Sequence, residues 1–429
     1  MLALLRRRNF VLLWFGGLIS QTGDWLLHIG LPVYIYLVTG SALATSMTLV
    51  IAFLPNILLS SVAGVFVDRW DRRLTMLICN LLLALGLLPM LLIHGKDTLW
   101  LLYIVLFFES CVSQFVLPAE NALLPQLVDE QQFVPANALM STSTYIARLG
   151  GAALGGILLG TVGLHYVVLF DAISFFFVCL MLLCMRLPVS ARTNVAREDP
   201  EQSMPVTTVF STWLRIGYEW LEGMRLVARQ QTLRVLFIFL AVTRVGEGIF
   251  GSLLVIFVSR VLHGDSVIYG MLLSIQMIGN LLGNALVAQF GKRQSPMRTL
   301  WISAGIFGVI DLLIIDIPIF YPAMPLEMFL FVAVGIPAAF FSVHIQTLFQ
   351  VLTEDKLRGR VFGTQQAVGS LASLIGMLLA GLLGDRLGSV PLLNLQGGSY
   401  VFGALLIFLA LRRGIAFERK EANAVEDIA

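Results

Sequence analysis

The chain has 429 residues, of which 58% are hydrophobic and only 13% charged, whereas a soluble globular chain carries about 25% charged residues. A chain this apolar cannot cover a surface with water around it, so its solvent is lipid, and no polar stretch is long enough to fold as a separate soluble domain. A net charge of +2 gives no case for nucleic acid as a partner.

Arg6, Arg7 and Arg8 precede the first long apolar run, and no small-residue cleavage site in a polar context follows it. The run therefore reads as a first membrane helix rather than a removable signal peptide. A span needs about 20 mostly apolar residues. Runs of that kind predict helices at 10–38, 43–67, 74–94, 98–117, 139–162 and 166–187, then at 233–261, 267–290, 297–317, 326–348, 361–384 and 392–412. The predicted fold class is all-α integral membrane, with twelve transmembrane helices in two parallel six-helix bundles. The division is 1–187 for the first bundle, 188–231 for a linker, 232–414 for the second bundle and 415–429 for a tail. Within the linker Trp213, Ile216, Trp220, Leu221 and Met224 recur at helical spacing among basic residues. An amphipathic helix on the membrane face and a helix packed under the bundle both fit this pattern.

Lys and Arg concentrate in cytoplasmic loops. Alternate connections, together with both ends of the chain, hold 23 of the 28 basic residues. Both termini are therefore expected to be cytoplasmic. The 24 Arg against 4 Lys suggest a bacterial inner membrane. The four cysteines fall inside apolar segments and read as small buried side chains. Neither a disulfide framework nor a metal-ligand spacing is present, and no metal or cofactor is expected.

The chain repeats itself. A shift of 223–225 residues sets Gly23-Asp24 on Gly246-Glu247, Asn56 on Asn280, Phe66 on Phe290 and Arg69 on Arg293. In the fifth helix of each half it sets Ala147, Gly151 and Gly156 on Ala372, Gly376 and Gly381. Polar and glycine matches at one near-constant offset indicate a parallel six-plus-six duplication, an architecture whose substrate site lies near mid-membrane. Gly151, Gly155, Gly156, Gly376 and Gly381 are expected to let helices approach closely.

Ionisable groups inside spans cost about 2.5–3.5 kcal/mol on insertion scales and face a cavity or a partner. Gln21, Asp24 and His28 share one face of the first helix, which is expected to line a central cavity. The other reading of Asp24, an ion pair with Arg148, is compatible with the first. Glu247, the repeat mate of Asp24, has Arg244 one turn before it, and the two can neutralise each other. Glu109, with Ser110, Ser113 and Gln114 nearby, is a further candidate for substrate or proton contact. Asp171 and Asp311 fall near predicted span ends and read as wet. His344 reads as a helix-packing group.

Gly64 to Leu74 spells G-V-F-V-D-R-W-D-R-R-L. This resembles the motif between helices two and three of the major facilitator superfamily. The stretches Leu18–Met47, "LPAENALLPQLV" (Leu117 to Val128), "ANALMS" (Ala136 to Ser141) and "RGRVFG" (Arg358 to Gly363) resemble its drug-efflux branch, which includes macrolide exporters and the enterobactin exporter. The resemblance implies a secondary transporter rather than an enzyme. Its partners would be a small-molecule substrate, protons and the lipid bilayer, and it would act as a monomer. It also implies that Gly64, Asp68, Arg69, Arg72 and Arg73 brace the cytoplasmic side. Two departures stand out: Ala152 follows Gly151 where exporters carry Pro, and the fourth helix has Glu109 where a sister branch of proton-coupled antiporters has Arg. Export of a lipid or siderophore, and uptake on the same fold, are alternatives. A membrane enzyme lacks support, since no phosphate-cradling Gly-rich loop and no H-E-x-x-H is present.

Overall fold

The computed structural model describes residues 4–67, 70–186, 224–225, 227–290, 295–353 and 358–412. Among these residues twelve helices are long and apolar enough to cross a membrane. They are α1 (Arg8–Thr39), α2 (Ala42–Val67), α3 (Arg72–Leu87), α4 (Leu99–Leu123), α5 (Phe133–Val162), α6 (Leu164–Cys184), α7 (Gln231–Arg260), α8 (Ser266–Phe290), α9 (Pro296–Phe320), α10 (Met324–Leu352), α11 (Arg358–Leu387) and α12 (Ser389–Arg412). Backbone polar groups find no water in hydrocarbon, so a lone spanning segment must satisfy them within its own helix. Apolar length therefore locates the elements. Chain ends of helices follow local chemistry: α1 stops at Gly40, whose φ of 67° is left-handed and whose N–H donates to the Tyr36 carbonyl.

One region differs from expectation. The helix predicted over 98–117 runs on to Leu123, with Pro118 inside it. The next begins at Phe133 rather than near 139. Pro costs less in a membrane helix than in a soluble one, because neighbouring groups and local adjustment re-satisfy the carbonyl it frees. The connection between these two predicted helices thus shrinks to Leu124–Gln132, with two short 3-10 turns, Leu124–Gln126 and Glu130–Gln132.

By internal packing the chain divides into two units. Unit 1 comprises Met1–Gly40, Thr48–Thr212 and Asp265–Ser274; unit 2 comprises Ser41–Met47, Trp213–Gly264 and Ile275–Ala429. In unit 1, α1 packs on α5 and α6, while α3 packs on α4 and α6. In unit 2, α7 packs on α11 and α12, while α9 packs on α10 and α12. These are the same pairs six helices later, so the duplication read from the sequence is also a duplication of packing.

Small residues make these contacts possible. A Cβ added at Gly151 would lie 2.5 Å from Trp25 Cβ and 2.9 Å from the Thr22 carbonyl oxygen; one at Gly155 would lie 3.0 Å from the Leu26 carbonyl oxygen. In unit 2 a Cβ at Gly376 would collide with the Val245 carbonyl of α7, and one at Gly381 would lie 3.0 Å from Ser46 Cβ. Within unit 1, Gly156 meets the start of α8, where its Cβ would collide with the Ser266 carbonyl. Gly151, Gly156 and Gly376 therefore sit where a neighbouring helix leaves no room for a side chain, and Gly155 and Gly381 sit where a neighbour would have to give by a few tenths of an ångström.

Polar fastenings close the helix ends. In unit 2 Asp385 accepts from Ser41 Oγ at 2.9 Å and from the Ala42 N–H at 2.7 Å, capping the start of α2. In unit 1 Asp71 caps α3 by accepting the Leu74 N–H at 2.8 Å. Arg73 donates from Nε to the Leu182 carbonyl at 2.8 Å and from Nη2 to the Leu183 carbonyl at 3.2 Å. Asn9 Nδ2 donates to the Arg186 carbonyl at 2.9 Å. Carbonyls at the end of α6 thus have cationic and amide donors, the arrangement a helix C-terminus favours. Arg7 pairs with Asp129 at the same end. Of the expected brace, Asp68 and Arg69 lie outside the described residues, as do most of the 188–231 linker and the tail from 413 on.

Candidate substrate cavity

Unit 1 holds a partly open cavity of about 490 Å³. Gln21, Asp24 and His28 line it from α1, as their common face predicts, and Glu109 lines it from α4. Asp171 of α6 and Glu120 of α4 also line it, beside an apolar wall that includes Leu27, Leu106, Phe175 and Met181. Four carboxyls therefore open on one space, and none of its described lining residues is Lys or Arg.

Helix geometry puts the acids there. Glu109, Ser113, Val116 and Glu120 follow the i, i+4, i+7, i+11 spacing of one α4 face. Only the continuation of α4 past Pro118 brings Glu120 onto it. The Glu120 carboxyl comes close to Gly17: a Cβ there would lie 3.7 Å from its Oε1 and 3.9 Å from Gln21 Nε2. The Glu109 carboxyl reaches instead toward α3, where a Cβ on Gly86 would be 2.9 Å from its Oε1. Ser110 Oγ donates to the Ala52 carbonyl, and Asn56 Nδ2 donates to Gln114 Oε1 at 3.3 Å. These bonds fix the inner part of α2 against α4. Oε1 of Gln21, Glu109 and Glu120 is buried in each case with no hydrogen-bond partner among the described residues. Acceptors of this kind are few in native proteins and call for a donor.

Two expectations are corrected. Asp171 and Asp311 are not wet: they are 1% and 2% exposed. Asp171 rests against α1 because Gly23 has no side chain to hold it off, and Ser174 Oγ, which donates to the Asp171 main-chain carbonyl at 2.7 Å, also lies 3.3 Å from its Oδ1. Asp311 lies well inside α9 among helices packed through Gly308 and Gly397, and its Oδ2 has no partner among the described residues. The second correction concerns Arg148, which forms no ion pair with Asp24. Its guanidinium lies 4.7 Å over the Trp25 ring, a cation–π contact created by the close seating of Gly151 on α1. His28 packs edge-on against Trp25 as well, with ring centroids 5.1 Å apart.

Arg244 and Glu247 behave as the self-neutralising pair considered from their spacing. Arg244 Nη1 lies 2.7 Å from Glu247 Oε2, and Tyr400 Oη donates to Glu247 Oε1 at 2.7 Å. They belong to unit 2 and do not line this cavity. His344 is buried, with Nδ1 2.7 Å from the Phe340 carbonyl, as a packing group would be. Sequence reasoning missed Glu120 and misplaced Asp171. The signal for the first was its three-turn spacing from Glu109, and for the second the Asp171–Ser174 spacing opposite a glycine.

Twelve helices long and apolar enough to cross a membrane, in two units with the same packing pairs, one of which holds an acid-lined cavity, fit a solute transporter of the membrane. The sequence matches the MFS_3 family, described as transmembrane secretion effector, over residues 1–426, and the chain belongs to that family of major facilitator transporters. It is 26% identical over 389 residues to macrolide efflux protein A of Streptococcus pyogenes, a match covering 89% of this chain and 90% of that protein. It is 29% identical over 405 residues to the uncharacterized MFS-type transporter YfiS of Bacillus subtilis, covering 92% and 89%. Among solved structures the nucleoside transporter NupG superposes with a TM-score of 0.72 at 14% identity, covering 95% of this chain and 100% of that one. An inward-facing bacterial homologue of the iron transporter ferroportin gives a TM-score of 0.69 at 16% identity, covering 94% and 98%. The last two establish the major facilitator fold.

Proposed function

We propose that this transporter exports amphiphilic small molecules of the macrolide kind by alternating access, in exchange for protons. It does so as a monomer in a bacterial cytoplasmic membrane, with both termini on the cytoplasmic side. The observation that carries this reading is the unit 1 cavity, where an apolar wall meets Asp24, Glu109, Glu120 and Asp171 without Lys or Arg among its described lining residues. Such a surface favours a cargo that is apolar over most of its length and positively charged at one point. The same acids can carry the exchanged proton, since a carboxyl in hydrocarbon is costly when ionised and unpaired. Gln21 and His28 supply further polar contacts. The relationship to macrolide efflux protein A supports the cargo class, and the placement of 23 of 28 basic residues supports the orientation. The repeat at an offset of 223–225 residues supports the six-plus-six division, with 188–231 as the connecting segment.

Purified protein in liposomes with an acidic interior should accumulate erythromycin above protein-free vesicles, and an ionophore that dissipates the gradient should abolish the excess. Equal uptake with and without protein would overturn the cargo, and uptake indifferent to the gradient would overturn the exchange.

A further inference from the structure

The two units build the same seam and load it with opposite chemistry. The repeat offset sets Gly23 and Asp24 of α1 on Gly246 and Glu247 of α7, and sets Asp171, Ser174 and Phe175 of α6 on Gln396, Ser399 and Tyr400 of α12. The packing obeys it. A Cβ on Gly23 would collide with Asp171 Oδ1 and lie 2.7 Å from Ser174 Oγ; one on Gly246 would lie 2.7 Å from Ser399 Oγ and 2.9 Å from Gln396 Cα. In both units a glycine next to an acid lets the last helix of the bundle press against the first.

In unit 2 that acid is fully answered: Arg244 and Tyr400 both bond to Glu247, and the residue across the seam, Gln396, is neutral. In unit 1 each of these three answers is removed. The position of Arg244 is held by Gln21, that of Tyr400 by Phe175, and that of Gln396 by a second acid, Asp171. Asp24 and Asp171 form no ion pair with any described residue, and Asp171 is almost fully buried.

We propose that Asp24 and Asp171 act as one carboxyl pair holding a single proton, and that this pair, rather than Glu247, is the proton-carrying site of the transporter. Asp24 follows Gly23, the residue on which Asp171 rests, and both carboxyls line the same cavity; carboxylates sharing such a space repel, and one proton held by the pair relieves the repulsion. The groups around the pair leave that role open. From α1 comes His28, from α4 Glu109, and from α5 Arg148, whose guanidinium is engaged on Trp25. The part of α3 from Asn80 to Leu87 has no titratable side chain. Asp171 is thereby a coupling residue, and Ser174, which donates to it, a positioning residue. This assignment rests on the proton-exchange reading above, but its first test needs no cargo.

The detergent-solubilised full chain, acidified from about pH 8.5 to about pH 5.5, a window above the ordinary carboxylate range, should take up one proton more than the Asp24→Asn/Asp171→Asn double variant. A difference of two protons, meaning independent acids, or of none, meaning a pair that does not titrate there, would overturn the proposal. The second test compares repeat mates in liposomes. Ser174→Ala should shift the pH profile of gradient-driven erythromycin uptake, and Ser399→Ala, the same change on the other seam, should leave it in place. Equal effects of the two would reduce both serines to packing and overturn the proposal, even if the double variant did not fold. Wild-type uptake that ignored the gradient would count against proton exchange itself, whatever the proton count.

Discussion

Tyr400 Oη donates to Glu247 Oε1 at 2.7 Å, and Arg244 holds the other carboxylate oxygen at the same distance. The Tyr400 ring is itself enclosed by Phe307, 4.3 Å away between centroids, and by Phe341 at 5.4 Å. The hydroxyl is thus delivered to Glu247 by a packed aromatic cluster, and the pair is a structural fixture of unit 2. Tyr400→Phe should destabilise the protein by about 1.5–3 kcal/mol, the range for a hydrogen bond to a charged group. Thermal unfolding in detergent measures this, and a Tyr400→Phe/Glu247→Gln double variant should cost less than the sum of the singles.

Asp385 caps the first turn of α2 through Ser41 and Ala42. Asp385→Ala should cost about 0.5–2 kcal/mol, and Asp385→Asn, which keeps an acceptor oxygen, should cost less. Hydrogen exchange at the Ala42 and Leu43 amides should accelerate in the alanine variant while the middle of α2 stays protected.

The glycine contacts give a paired prediction. Gly376 faces the Val245 carbonyl with no room for a Cβ, whereas Gly398 has open space around the same position. Gly376→Ala should therefore lose about 1–3 kcal/mol from forced separation of α7 and α11, and Gly398→Ala should stay within about 0.5 kcal/mol of wild type. Comparable melting temperatures for the two variants would contradict the packing account.

Arg73 donates to two carbonyls at the end of α6, a bond that can differ between conformations of a transporter. Arg73→Ala should change the rate at which a single cysteine placed at Ser113, on the cavity wall, is labelled by a membrane-impermeant reagent, with overall stability little altered. Arg73→Lys should not restore the wild-type rate, since an ammonium lacks the two-pronged geometry. An unchanged rate in the alanine variant would remove Arg73 from the brace.

The fold was legible because lipid imposes a simple rule on backbone hydrogen bonds, so run length and glycine periodicity carry most of the information. The repeat was legible for a related reason: Gly151 and Gly376 recur because each is a seat for the first helix of its bundle. What escaped was the meaning of individual charges. Asp171 lay five residues inside its predicted span and read as wet, because burial there is decided by Gly23, a residue almost 150 positions away. Asp24 and Arg148 were opposite charges on neighbouring helices. Nothing in the sequence said that Gly151 would bring Trp25 under the guanidinium first. Pro118 read as a helix end under rules learned from water, and with it Glu120 dropped out of view.

The central claim is that the acid-lined cavity of unit 1 exchanges protons for cargo, and Asp24 tests it most directly. In liposomes with an imposed pH gradient, the wild-type chain should drive erythromycin uptake, and Asp24→Asn, inserted and folded to the same level, should lose the gradient-driven component at least tenfold. Undiminished uptake by that variant would contradict the account.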